Sequence, residues 1–317
     1  MQLAAGRRTK RSTYRGWPAV ALETDECVVT IVSALGGKIA SLIDRRTGRE
    51  FLVQPKAARF AEPAPGAKFV DSDPFGFDDM FPTVLEGNAA TDQGRALFLP
   101  DHGEVWSRRW QEAEFSGDAL TLTIDCHSVP CRFTKRCTMP DARTLRIDYV
   151  VTNLSNETFD ALWAAHPLIA CADAVSIDLP PGEVISVHNG SEHYGDHGMR
   201  SRWKPRSLPA AKPGQAPRAH KFYAAQPDQA RTVALRFPRT HERIGLRVES
   251  AAPIYFGLWH EERQDGTRVL APEHCTGGFD RPDLSKHYGQ PCHFGPREEK
   301  RWSLQVDIHP ATTHPTP

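Results

Sequence analysis

A chain of 317 residues with 39 Lys and Arg against 39 Asp and Glu has no net charge to draw it to nucleic acid or to an anionic membrane. No run approaches the roughly 18 to 20 apolar residues of a membrane span, and the N-terminus lacks the apolar core of a secretory signal. Seven scattered cysteines, odd in number, exclude a disulfide framework and suit a reducing cytoplasm, where most would act as small apolar fillers.

Residues 1–20 open the chain with Arg7, Arg8, Lys10, Arg11 and Arg15, which predicts a flexible basic segment frayed into solvent. From residue 21 to 309 the texture changes to apolar and polar residues in alternation. Leu120, Leu122 and Ile124 alternate with Thr121, Thr123 and Asp125, and Leu145, Ile147, Tyr149 and Val151 with Arg146, Asp148 and Val150. That period of two predicts half-buried antiparallel strands. It recurs at Cys27 to Ala34, Thr158 to Ala165, Thr232 to Phe237, Ile244 to Glu249, Pro253 to Trp259 and Arg301 to Ile308.

Turn residues punctuate these runs at Asp44 to Gly48, Asn153 to Asn156 and Gln264 to Gly266, while no long amphipathic helix stands out. The class is therefore all-β, a sandwich or barrel, and a single domain can fill this length around one core. Proline-rich residues from Lys204 to Pro217 predict a long surface loop, and residues 310–317 a flexible tail.

Three runs carry the titratable groups that chemistry needs. Pro100 to Trp110 reads Pro-Asp-His-Gly-Glu-Val-Trp-Ser-Arg-Arg-Trp just after an apolar strand, where a rigid sandwich places binding residues. Taken alone, His102 fits a hydrogen-bonded surface histidine better than a catalyst. In Leu162 to Ile169, His166 closes an apolar strand and Pro167 holds it extended, so the imidazole falls at a sheet rim or in the core. In Ala271 to Asp280, Glu273 stands between a strand and a glycine turn; viewed alone it fits an ordinary exposed glutamate better than a partly buried one whose charge is disfavoured.

In order and spacing, these motifs resemble the aldose 1-epimerase family of the galactose mutarotase-like superfamily. His102-Gly103 with Trp110 resembles the first histidine motif. Leu145 to Asn153 followed by His166-Pro167 resembles the second, and Pro253 to Trp259 with Glu273 and Asp280 resembles the final strand and glutamate motif. The run Gly36 to Asp44 is similar to the family's early Gly-rich hairpin, so the likeness spans roughly residues 25 to 308.

The resemblance implies a large antiparallel β-sandwich that interconverts sugar anomers by acid–base ring opening. Glu273 takes the proton of the anomeric hydroxyl, His166 protonates the ring oxygen, and His102 hydrogen-bonds nearby. It implies a small-molecule sugar as partner, a monomer or homodimer, and neither metal nor cofactor.

Positions that hold the sugar depart from the family pattern. The family's arginine after the first Pro-rich motif has no counterpart in Thr83 to Glu86, and Lys221 stands where an aspartate is usual. Asp78, Asp79, Trp106 and Trp259 would suit a neutral sugar, whereas Arg108, Arg109 and Lys221 would suit a phosphate or uronate. A non-catalytic carbohydrate-binding sandwich is the alternative. The loop His188 to His197 offers three histidines and two carboxylates, read as a polar loop lining the cleft rather than as metal ligands.

Overall fold

The alternating sequence folds into two packed antiparallel layers. The computed structural model describes residues 6–58, 60–187, 198–203 and 206–310. The first layer runs, in spatial order, Arg8–Tyr14, Trp17–Glu23, Cys27–Val32, Lys38–Asp44, Phe77–Met80, Ala164–Pro167, Arg268–Cys275, the second half of Glu242–Glu262, Arg218–Ala224, Glu183–Ser186 and Arg200–Arg202. The second runs Gln111–Phe115, Ala119–Asp125, Cys131–Thr138, Thr144–Asn153, Glu299–Pro310, the first half of Glu242–Glu262, Asp228–Phe237, Val175–Asp178 and Arg206–Leu208.

One strand therefore serves both layers. Glu242 to Ser250 pairs with Glu299–Pro310, and Tyr255 to Glu262 pairs with Arg268–Cys275. The chain bends between them at the exposed Ala251 and Ala252, just before Pro253, which cannot donate a ladder bond. The two runs read separately in the sequence are the two halves of this strand.

Between the layers lies one large apolar cluster, built from the inward positions the alternation predicts: Leu120, Leu122 and Ile124, then Leu145, Ile147, Tyr149 and Val151. All seven cysteines are free thiols, six of them buried. Among the described residues no helix is long and apolar enough to cross a membrane.

Lys135 breaks the apolar pattern. Its neighbours two positions away, Phe133 and Cys137, point inward, so strand geometry forces the lysine inward too. There its Nζ donates to Asp79 Oδ2 at 2.7 Å, and Trp163 Nε1 donates to Asp79 Oδ1 at 2.9 Å. On the opposite face of the same strand, Asp78 pairs with Lys38, whose Nζ also donates to the Phe75 carbonyl at 2.9 Å.

Several sequence expectations need correction. The basic N-terminal run is not frayed: Arg8–Tyr14 pairs with Trp17–Glu23 over its whole length. Its cations are held by partners, Lys10 by Glu23 at 2.9 Å and Arg11 by Glu112 and the Phe115 ring, while Tyr14 stacks on Phe75. Thr158 to Ala165 is two short strands with different partners, Phe159–Asp160 and Ala164–Pro167. The Pro-rich loop contains the short edge strand Arg206–Leu208. Pro310 ends the last strand, and the rest of the expected tail lies outside the described residues.

Losing one member of a buried ion pair leaves the other charged and unsolvated. Asp79→Asn should lower the unfolding free energy by about 3–5 kcal/mol in urea titrations, and Asp79→Leu combined with Lys135→Leu should recover most of that loss. An equal loss in both variants would mean the pair is not compensating charge.

Candidate active site

Register brings the separated motifs together. Ala164 pairs with Cys275, so two residues further along these antiparallel strands His166 stands opposite Glu273. Glu273 in turn pairs with Gly257, and Gly257 with Tyr223, while Asp78 pairs with His166 from the other side. Asp78, His166, Glu273, Gly257 and Tyr223 thus form one row across the outer face of the first layer, because directly paired residues share a face. The next row on that face holds Ala271, Trp259 and Lys221.

This face floors a cleft of about 630 Å³ lined by His102, His166, Glu273, Lys221, Asp280 and Trp259, among others. His166 Nε2 lies 4.0 Å from Glu273 Oε1. Lys221 Nζ lies 2.5 Å from Glu273 Oε2 and donates to Asp280 Oδ1 at 2.6 Å, and Tyr223 Oη donates to the same Asp280 oxygen at 2.9 Å. Gly257 makes room for that bond: a Cβ there would meet the Tyr223 ring at 3.0 Å.

The third motif residue arrives on a turn. His102 has φ +56°, Gly103 has φ +71°, and any Cβ at Gly103 would strike the Phe81 carbonyl oxygen at 2.0 Å. The His102 N–H donates to the Val84 carbonyl at 2.7 Å, while its ring stacks on Phe69 at 4.2 Å between centroids. Phe69 also meets His166 edge-on at 5.0 Å, so one aromatic ring braces both imidazoles. His102 and His166 are 5.3 Å apart, centroid to centroid.

Burial sets the protonation of the site. It raises the pKa of Glu273, against the opposing pull of the Lys221 ammonium, while the nearby Asp280 carboxylate pushes it further up. Burial holds His166 well below the ordinary histidine value, helped by the positive fields of His102, Lys221 and Lys38. It also opposes the Lys221 charge, yet Asp280 and Glu273 together keep that lysine above its usual range. His166 Nδ1 is buried without a hydrogen-bond partner among the described residues.

Of the nine positions singled out in the sequence, five line the cleft: His102, His166, Glu273, Lys221 and Trp259. The other four do not. Asp78 and Asp79 are spent on the buried lysines, Asp79 on the opposite face of the strand. Trp106 is buried, its indole donating to the Asp101 carbonyl while its ring meets Phe69 edge-on, so it supports the site from behind. Arg108 turns away to Glu104 at 2.7 Å and the Asp125 carbonyl. Arg109, the further cation considered for an anionic sugar, pairs at the surface with Glu62. The histidine-rich loop at 188–197 lies outside the described residues.

Two contributors escaped the sequence reading, and a third was named there only within a motif. Asp280 was visible only as part of the glutamate motif, and it follows a left-handed Phe279, φ +64°. Tyr223 and Phe69 carried no signal distinguishing them from core aromatics.

The architecture is that of a galactose mutarotase-like β-sandwich, the class that the comparisons with solved structures define. Among them is a galactose mutarotase related enzyme from Lactobacillus acidophilus, 18% identical, with TM-score 0.68, covering 93% of this chain and 99% of that one. A galactose mutarotase-like protein from Clostridium acetobutylicum is 13% identical with TM-score 0.69, covering 97% and 100%. One from Lactobacillus casei is 15% identical with TM-score 0.65, covering 92% and 100%. Residues 4–90 match a family described as a domain of unknown function, DUF5107. No curated protein sequence matches the chain.

The buried imidazole carries a pH signature. His166 is neutral when folded at pH values where an unfolded histidine, of ordinary value 6.5, takes up a proton. Its contribution to stability is complete above that value and is lost as pH falls below it. Between about pH 7 and pH 5 the parent protein should lose on the order of 1 kcal/mol more stability than His166→Gln. Parallel urea titrations at the two pH values read this directly.

Proposed function

We propose that the chain is an aldose 1-epimerase, opening and reclosing the ring of a sugar at its anomeric carbon. The observation that carries this reading is the 4.0 Å approach of a buried imidazole to a buried carboxylate inside one cleft, on neighbouring strands that hold both rigid. The mutarotase-like fold of the neighbours agrees with it.

Ring opening needs a base for the hydroxyl on C1 and an acid for the ring oxygen. Glu273 as carboxylate takes the hydroxyl proton, the electron pair becomes the aldehyde C=O, the C1–O bond of the ring breaks, and His166, in the minor protonated fraction that burial leaves it, delivers its proton to the departing ring oxygen. Rotation about the neighbouring C–C bond and reversal of both transfers gives the other anomer. The step converts a charged pair into a neutral one, so the burial that raises Glu273 and lowers His166 strengthens the base and the acid together. The Lys221 ammonium keeps enough carboxylate character on Glu273 for it to start as a base, and His102 hydrogen-bonds the sugar alongside.

Saturation-transfer NMR on free aldoses at equilibrium measures anomer exchange directly. The protein should accelerate it, and Glu273→Gln should reduce that acceleration by about 10²- to 10⁴-fold while sugar binding by calorimetry persists. Binding with no acceleration in the parent protein would leave a carbohydrate-binding sandwich instead. Lys221→Met removes the cation that lowers the Glu273 pKa, so the acid limb of the rate profile should move to higher pH. An unmoved limb would separate Lys221 from the base.

A further inference from the structure

The cleft extends well past the proton-transfer row. Along the strand Glu242–Glu262, the cleft-facing positions are Gly257, beside Glu273, then Trp259, then Glu261. Two strand residues advance about 6.6 Å, so the Glu261 row lies about 13 Å from the Glu273 row, more than one pyranose ring occupies. Arg263 continues the same edge, and Lys56 and Asp73 reach it from the loop opposite.

The chemistry of this far end is unlike that of the near end. Its middle is the indole of Trp259, part-exposed and packed against the apolar cluster that includes Leu168 and Ala271. Beyond it stand two cations and two anions, Lys56 and Arg263 with Asp73 and Glu261, and the last of these pairs with Arg263 at 3.0 Å. The balance leaves no net field for a phosphate or uronate, but it sets carboxylate acceptors beside guanidinium and ammonium donors, which suits a ring of hydroxyls. An aromatic face flanked by such groups stacks the apolar side of a sugar and hydrogen-bonds its edge.

We propose that this region is a second sugar subsite, and that the protein takes the reducing-end residue of a neutral di- or oligosaccharide, with the penultimate ring on Trp259 and its hydroxyls on Glu261 and Arg263. The proposal rests on the epimerase reading for which end of the sugar enters first. The subsite itself follows from the shape and lining of the cleft.

Calorimetric titration of the full chain with glucose, galactose, glucose 6-phosphate, maltose, cellobiose and lactose tests it, since binding is read whether or not anomers exchange. At least one disaccharide should bind about tenfold or more tighter than either neutral monosaccharide and than the phosphate, and Trp259→Ala should cut that preference to near unity. Because Trp259 packs on the sheet, Glu261→Gln, a near-isosteric change at a part-exposed position, provides the second arm and should weaken the disaccharide more than the monosaccharide. Equal binding of one-ring and two-ring sugars, or tightest binding of glucose 6-phosphate, overturns the subsite. Disaccharide preference without accelerated exchange sustains the subsite and removes the epimerase.

Discussion

Charge compensation in a place without water governs how this sandwich is assembled. Asp78 and Asp79 are adjacent on Phe77–Met80, so pleating sends one carboxylate to the outer face of the first layer and the other into the core between layers. Each must meet a buried cation, and the two lysines come from distant parts of the chain, Lys38 and Lys135. Native register between these strands is the arrangement that satisfies both, and a slip by one residue would exchange their faces. His166 pairs with this same strand, so the imidazole inherits its position from that requirement.

The cleft applies the same logic in a looser form. Lys221 lies between two carboxylates, Glu273 and Asp280, so the trio carries one more negative charge than positive. A proton entering at His166 would bring the group to neutrality, although burial opposes charge on each member. Phe69 and Trp106 supply the complementary mechanical part, fixing ring planes where hydrogen bonds to solvent would let them rotate.

Much of the fold could be read from period-two alternation, because the inward positions of Ala119–Asp125 and Thr144–Asn153 are apolar almost without exception. His102, His166 and Glu273 were recoverable because their motifs keep order along the chain. Side-chain direction was not recoverable. Asp78 and Asp79 look like ideal hydroxyl ligands until the inward lysine at 135 is placed, and Arg108 is claimed by Glu104 four residues before it. The N-terminal run misled for a related reason: its charge density suggested a free end, whereas its anions, Glu23 and Glu112, come from other strands.

The strand that belongs to both layers bears on how this molecule could adapt to different ligands. Trp259 sits on a strand whose other half is paired with Glu299–Pro310, so the floor of the cleft is tied by backbone hydrogen bonds to the opposite layer as well as to its own. Other parts of the lining stand outside the paired strands, among them Val70, 74% exposed, and Leu85, 45% exposed. Residues at such positions can change without disturbing the paired strands that carry His166 and Glu273.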